Sequence, residues 1–317
     1  MLRPIRDETL RSHMHRSGWP FAMSVLEPLC DDKAPVVFDD FIEKTFYNKR
    51  GNCQGVSYTE PWVGVCHHPP DAPFWAEAEH LCLLKGLDAW NESVKHLRLC
   101  VTLEDTLASW VRRELNIPCV SLRHPTEIPD LRWSPDRFLA NHSRMLLQVG
   151  WYLRNMNAIF QADVQSFLAK AWLRQTSPEI VQYQRLCRAH GRLGRHNTGQ
   201  VLELAAVSNL EYDHLLSENV VFVELFAAAA NNTVIECIAR NTPIVINRLP
   251  GPEYYLGPEY PLFYENFDNL RDLITVDRLV AAHEYLLAMN KEWLDGRVFR
   301  AQLREACVRY VPELQDK

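Results

Sequence analysis

The chain has 317 residues, enough for two domains of moderate size. It is 47% hydrophobic and 23% charged, a globular composition that excludes a mainly disordered chain. A net charge of −6 argues against a general nucleic-acid binder, and nine cysteines with no CxxC spacing read as reduced core thiols in a cytoplasmic protein rather than a disulfide framework.

The first residues, Met1-Leu2-Arg3-Pro4-Ile5-Arg6, do not read as a secretory signal. The longest apolar run, Val220 to Ala230, is broken by Glu224 and falls short of a membrane span, so membrane contact is not indicated. Strand-like and helix-like segments alternate, which predicts an α/β protein. Strands are expected at Ala34 to Phe38, Trp62 to Cys66, Leu97 to Leu103 and Pro118 to Leu122, with an amphipathic helix over Glu104 to Leu115. A Pro-punctuated stretch with Pro125, Pro129 and Pro135 marks the domain boundary. Further strands are expected at Met145 to Gly150, Val201 to Val207, Val220 to Val223 and Pro243 to Asn247, before a helical tail from Val276. The domains are therefore 1–125, a linker 126–142, 143–275, and terminal helices 276–317.

The most informative stretch is Asn231-Asn232-Thr233-Val234-Ile235-Glu236-Cys237-Ile238-Ala239-Arg240-Asn241-Thr242-Pro243-Ile244-Val245-Ile246-Asn247. It reads as a polar helix start, a short helix, a turn and a buried strand. Such a helix start offers free N–H groups and a partial positive charge to a phosphate. Thr233 and Glu236 have the spacing of a capping box, which by itself explains both. The alternative is that Asn231, Asn232 and Thr233 face phosphates while Glu236 accepts two hydrogen bonds from a ribose diol. Pro250 to Gly257 follows as a turn-rich loop carrying Glu253, Tyr254 and Tyr255.

This order of strand, polar helix with a glutamate, Thr-Pro and apolar strand resembles the donor-binding half of GT-B glycosyltransferases. Glu236 matches the second glutamate of the E-x7-E pattern of many retaining members, whereas Ala228 occupies the place of the first, leaving Glu253 as the other acid. Leu147 to Asn155 resembles the first strand and loop of the donor domain, where the resemblance implies close backbone approach at Gly150 and a diphosphate contact from Arg154, with Asn155 beside it. The resemblance implies two Rossmann-like domains facing across a cleft, with C-terminal helices packing at the junction. It also implies transfer of a sugar from a UDP- or GDP-sugar to an acceptor hydroxyl without a cofactor or metal. A nucleotide-sugar epimerase and a non-catalytic nucleotide- or sugar-binding protein are the alternatives. The acceptor, whether glycan, lipid, protein or small molecule, is left open.

Elsewhere, His67-His68-Pro69-Pro70-Asp71 follows a strand, where His68 or Asp71 would serve as a base on the acceptor or His68 would contact the donor sugar, the other reading being a Pro-stiffened turn. Asp39-Asp40 is expected to cap the helix after it, and His124 to sit in the linker region. The basic run Arg185, Arg188, His190, Arg192, Arg195 and His196 reads first as a solvated helix face. There is no Asp-x-Asp, GxGxxG or GxxxxGK[ST], which speaks against GT-A transferases, dinucleotide enzymes and P-loop NTPases.

Overall fold

The computed structural model describes residues 1–5, 18–47, 57–76, 81–174, 177–190 and 200–315. The chain forms two compact units: Met1–Ala72, Ala78–Glu127 and Glu292–Lys317 in the first, Pro73–Glu77 and Ile128–Lys291 in the second.

The first unit is built on five parallel strands, β1 (Arg3–Pro4), β2 (Val37–Asp39), β3 (Trp62–Cys66), β4 (Leu97–Thr102) and β5 (Cys119–Ser121), adjacent in that order. β2 and β3 are buried at every position, the pattern of a parallel sheet covered on both faces. Phe46 packs edge-on against Tyr58 and Trp90, Trp62 edge-on against Trp90, and Tyr58 tilted against Trp62 in this core. The Asp105–Leu115 helix begins where Glu104 caps it, its carboxylate accepting from Thr106 N at 2.7 Å and Leu107 N at 2.5 Å. It ends at Asn116, which takes the left-handed conformation with φ 54°.

The second unit carries β6 (Met145–Gln148), β7 (Ala169–Leu173), β8 (Val201–Leu204), β9 (Val220–Val223), β10 (Ile244–Asn247) and β11 (Phe263–Tyr264). Their order is β11-β10-β9-β6-β7-β8, again all parallel. Succession runs outward from β6 through β7 to β8, then returns to β9 on the other side of β6 and runs outward to β11. This is a doubly wound sheet with its reversal between β6 and β9, the place at the carboxyl ends of the strands where such sheets generally bind ligands.

Two expectations are revised here. The tail 276–317 is not one body: the Val276–Ala288 helix belongs to the second unit and the Gly296–Tyr310 helix to the first. Each apolar face meets a different core, His283 bonding Asn241 O at 3.0 Å and Phe299 packing edge-on against Trp19. The stretch 126–142 contains a Pro135–Ala140 helix and buries Trp133, whose backbone N–H donates to Arg240 O at 2.9 Å. Among the described residues no helix is long and apolar enough to cross a membrane, and Cys53 lies outside those residues.

Candidate functional site

At the reversal in the second unit, the segment after β6 lies against the segment after β9. Asn155 N donates to Glu224 O at 2.8 Å and Phe226 N to Leu153 O at 2.9 Å, with an antiparallel bridge between Arg154 and Leu225. Asn247, at the end of β10, holds Leu225 at both backbone groups, accepting from its N–H at 2.7 Å and donating to its C=O at 2.9 Å. Asn155 donates from Nδ2 to Glu224 Oε2 at 2.6 Å, so its side chain ties the two segments together.

Arg154 is the centre of this arrangement. It is only 9% exposed, and Nη2 donates to Asn231 Oδ1 at 3.2 Å and Thr233 Oγ1 at 3.0 Å, while Nη1 donates to Tyr152 O at 3.0 Å. Each of these acceptors is neutral, and Nε is buried without a partner. Burial lowers the guanidinium pKa, and the proximity of Tyr212 and Glu236 acts in the opposite sense. A buried cation satisfied only by neutral oxygens retains most of its attraction for an anion.

Thr233 and Glu236 do not form a capping box. The Asn232–Arg240 helix is capped by Asn231, whose Oδ1 accepts from Val234 N at 3.3 Å. The chain enters the helix two residues earlier than the Thr-x-x-Glu spacing requires, because Asn231 is extended there and asparagine is among the best caps. Thr233 is thus freed to accept from Arg154. Glu236, 5% exposed, accepts from Tyr212 OH at 2.6 Å. The box forms instead at Ser208 and Glu211, opening the Asn209–Glu218 helix. Asn232 is exposed at the same helix start.

Pro250 to Gly257 is likewise not a loop. Pro250–Leu256 is a helix with proline in its first turn, and Gly257 closes it at φ 83°. Glu253 on this helix is paired with Arg248, whose guanidinium lies 4.6 Å over the Phe263 ring. Tyr254 is half-buried and packs edge-on against Tyr255.

His68 and Asp71 belong to the first unit. The backbone N–H groups of His67 and His68 both donate to Glu43 Oε1 at 2.7 Å, and Glu43 Oε2 is buried without a partner. His67 stacks on Phe41 with centroids 4.0 Å apart and bonds Asp40 O at 2.9 Å. Burial pushes the Glu43 carboxyl up to about 7 and Asp39 to about 6, and pushes His67 well below its ordinary value and His124 down to about 4. Asp39 does cap the turn after β2, accepting from Phe41 N at 3.0 Å. His68 is buried, whereas Asp71 is exposed.

The site therefore brings together Gly150, Arg154, Asn231 and Thr233, with Glu236 one turn further along. It leaves Glu253 and Tyr254 on a separate helix. Sequence reasoning missed Tyr212, Asn247 and Arg248. Of the basic run, Arg185, Arg188 and His190 are exposed at the end of the Pro178–His190 helix, while Arg192, Arg195 and His196 lie outside the described residues. A concavity of about 650 Å³ lined by Met145, Leu204, His214 and Glu218 lies along a different flank of the Asn209–Glu218 helix from Tyr212 and holds none of the expected residues. Among the described residues no three His, Cys, Asp or Glu side chains gather as a metal site.

No protein-family model matches the chain, and no curated protein does. Solved structures do match. Sucrose-phosphate synthase from Thermosynechococcus elongatus superposes with a TM-score of 0.62 at 13% identity, over 91% of this chain and 77% of its own. The UDP-forming α,α-trehalose-phosphate synthase of Burkholderia vietnamiensis gives 0.55 at 15% identity, over 92% and 75%. The E. coli trehalose-6-phosphate protein bound with UDP-2-fluoro glucose gives 0.60 at 12% identity, over 93% and 77%. The chain has the GT-B fold.

Proposed function

We propose that this chain is a glycosyltransferase that moves a sugar from a nucleotide-activated donor to an acceptor hydroxyl. The observation that carries this reading is the buried Arg154 guanidinium, held only by neutral oxygens beside the start of the Asn232–Arg240 helix and above a glycine. A diphosphate is the anion that suits it: the arginine fork and the free helix N–H groups at Asn232 and Thr233 meet its oxygens together and stabilise the charge that grows on it as the sugar departs. Glu236 takes the ribose hydroxyls of the same nucleotide, and Tyr254 and Glu253 border the donor. Asn155 contributes by fixing the loop that carries Arg154. The acceptor is assigned to the first unit, at the His67-His68 turn, with His68 rather than the exposed Asp71 as the base.

The names of the similar structures support this reading and make uridine the first nucleotide to try, since one is UDP-forming and another holds a UDP-sugar analogue. The test is hydrolysis and transfer from a panel of UDP-, GDP- and ADP-sugars, preceded by thermal unfolding with each nucleoside diphosphate. A ligand at a hundred times its Kd adds about 2.7 kcal/mol to the folded state. A panel in which no nucleotide raises the melting temperature and no donor is consumed refutes the proposal.

A further inference from the structure

We propose that Tyr183 is a second donor to the diphosphate at Arg154, its hydroxyl meeting a phosphate oxygen beside the guanidinium; this rests on the donor-site reading above. Tyr183 lies on the Pro178–His190 helix, which packs on the loop after β6. Its ring meets Trp151 edge-on with centroids 5.6 Å apart, and one turn further on Cys187 Sγ donates to Arg154 O at 3.5 Å. The residue is 4% exposed, and its hydroxyl is buried without a hydrogen-bond partner. Its contact with the Cys187 thiol, a weak acceptor, falls short of hydrogen-bond geometry. The phenol and the Arg154 guanidinium act on each other electrostatically.

A buried hydroxyl with no partner loses its hydration and gains nothing, and phenylalanine would fill the same space without that cost. A ligand that supplies the partner gives the hydroxyl a task. Arg154 is in the same condition, with Nε buried and unpaired, 2.8 Å from where a β-carbon at Gly150 would stand. Among the described residues of the second unit, every buried side-chain polar atom without a partner carries a hydrogen to donate. Unspent donors on both sides of one loop suit a group that only accepts and has several oxygens. A phosphate is such a group, whereas a ribose or sugar hydroxyl brings a donor of its own. The phenol keeps its proton for this purpose, because burial raises its pKa above the ordinary value. Two half-buried rings stand against it, Trp151 edge-on and Trp75 tilted at 6.4 Å. Rotation of such rings opens the way to the hydroxyl and leaves the sheet in place. Once the anion is in, the low dielectric strengthens its bond to the hydroxyl.

The experiment measures binding of UDP, GDP and ADP to wild type and Tyr183→Phe, the affinity of each protein for inorganic pyrophosphate by competition with the best-bound nucleotide, and a melting curve of each protein without ligand. Phenylalanine keeps the ring against Trp151 and removes only the hydroxyl. The expected result is that Tyr183→Phe weakens the best-bound nucleotide and pyrophosphate alike, each about tenfold, the worth of one hydrogen bond to a charged group. The ligand-free variant should melt no lower than wild type, which a hydroxyl serving the fold would not allow. Equal nucleotide affinity in the two proteins, equal pyrophosphate affinity, or pyrophosphate that does not compete at all overturns the phosphate contact and leaves the donor reading standing. A ligand-free Tyr183→Phe that melts below wild type or does not fold overturns it in favour of a structural role. Failure of wild type to bind any of the three nucleotides overturns the donor reading and this inference with it.

Discussion

Gly150 makes room for the guanidinium of Arg154: a β-carbon added at position 150 would stand 2.6 Å from Arg154 Cζ and 2.8 Å from Nε. The same glycine holds a positive φ of 75°, a conformation that costs other residues about 1–2 kcal/mol. One atom at this position thus strains the loop and displaces the cation. Gly150→Ala is expected to melt several degrees below wild type and to lose its thermal response to nucleoside diphosphates. A variant that still responds like wild type would show that Arg154 does not need its observed place.

Arg154→Met separates stability from binding. Removing a buried cation that has no carboxylate partner also removes its desolvation cost, so the ligand-free variant should melt close to wild type. Diphosphate affinity should drop about ten- to a hundredfold, as expected for the loss of charge-assisted hydrogen bonds. Calorimetric titration and melting curves on the same sample check both. A ligand-free variant that is severely destabilised would make Arg154 a structural residue.

The first unit carries a pH signature. Burial raises the Glu43 carboxyl from 4.5 to about 7, so the folded chain keeps a proton that the unfolded chain releases over that range. Its contribution is full below 4.5 and is lost as pH rises through 7. Asp39 behaves alike between 3.8 and about 6. Buried His124 opposes them, its contribution present above 6.5 and lost as pH falls toward 4. Glu43→Gln keeps an acceptor for the His67 and His68 N–H groups but cannot ionise. Between pH 5 and 7.5 it should lose less stability than wild type, by up to about 3 kcal/mol. Urea unfolding at the two pH values measures this, and parallel behaviour of the two proteins would contradict it.

The fold was legible where chemistry left one option. Trp62–Cys66 and Val220–Val223 are apolar throughout because both sheet faces are covered, and their bounds match the expectation. β7 was missed because Lys170 interrupts it; the side chain is buried and its ammonium bonds Ala162 O at 3.2 Å. β1 and β11, two residues each, carry no pattern. The Pro250–Leu256 helix was read as a loop because Pro250, Gly251 and Pro252 are turn residues. Proline in a first turn, an early glutamate and a closing glycine are equally the marks of a short helix. At the site, the helix between β9 and β10 was legible from its polar start and the turn before the strand, but its cap was misassigned to Thr233, because the Thr-x-x-Glu spacing masks the better cap at Asn231. Tyr212 was not, because amphipathic packing already explains an aromatic on that helix, and only the tertiary approach to Glu236 gives its hydroxyl a task.

The last prediction concerns the pair behind that approach. The side chains of Arg240 and Asp213 are 1% and 4% exposed, and Arg240 Nε has no partner. Asp213→Asn leaves a guanidinium buried without its counter-charge, which should cost about 3–5 kcal/mol. The double replacement Asp213→Leu with Arg240→Met removes both charges and fills the space with apolar atoms, so it should be less destabilised than the single variant. Urea unfolding of the two variants gives the comparison. If the double variant proves the less stable, the guanidinium matters for more than its ion pair, and its bond to Glu236 O and its place 5.9 Å over the Tyr212 ring are the contacts left to account for it.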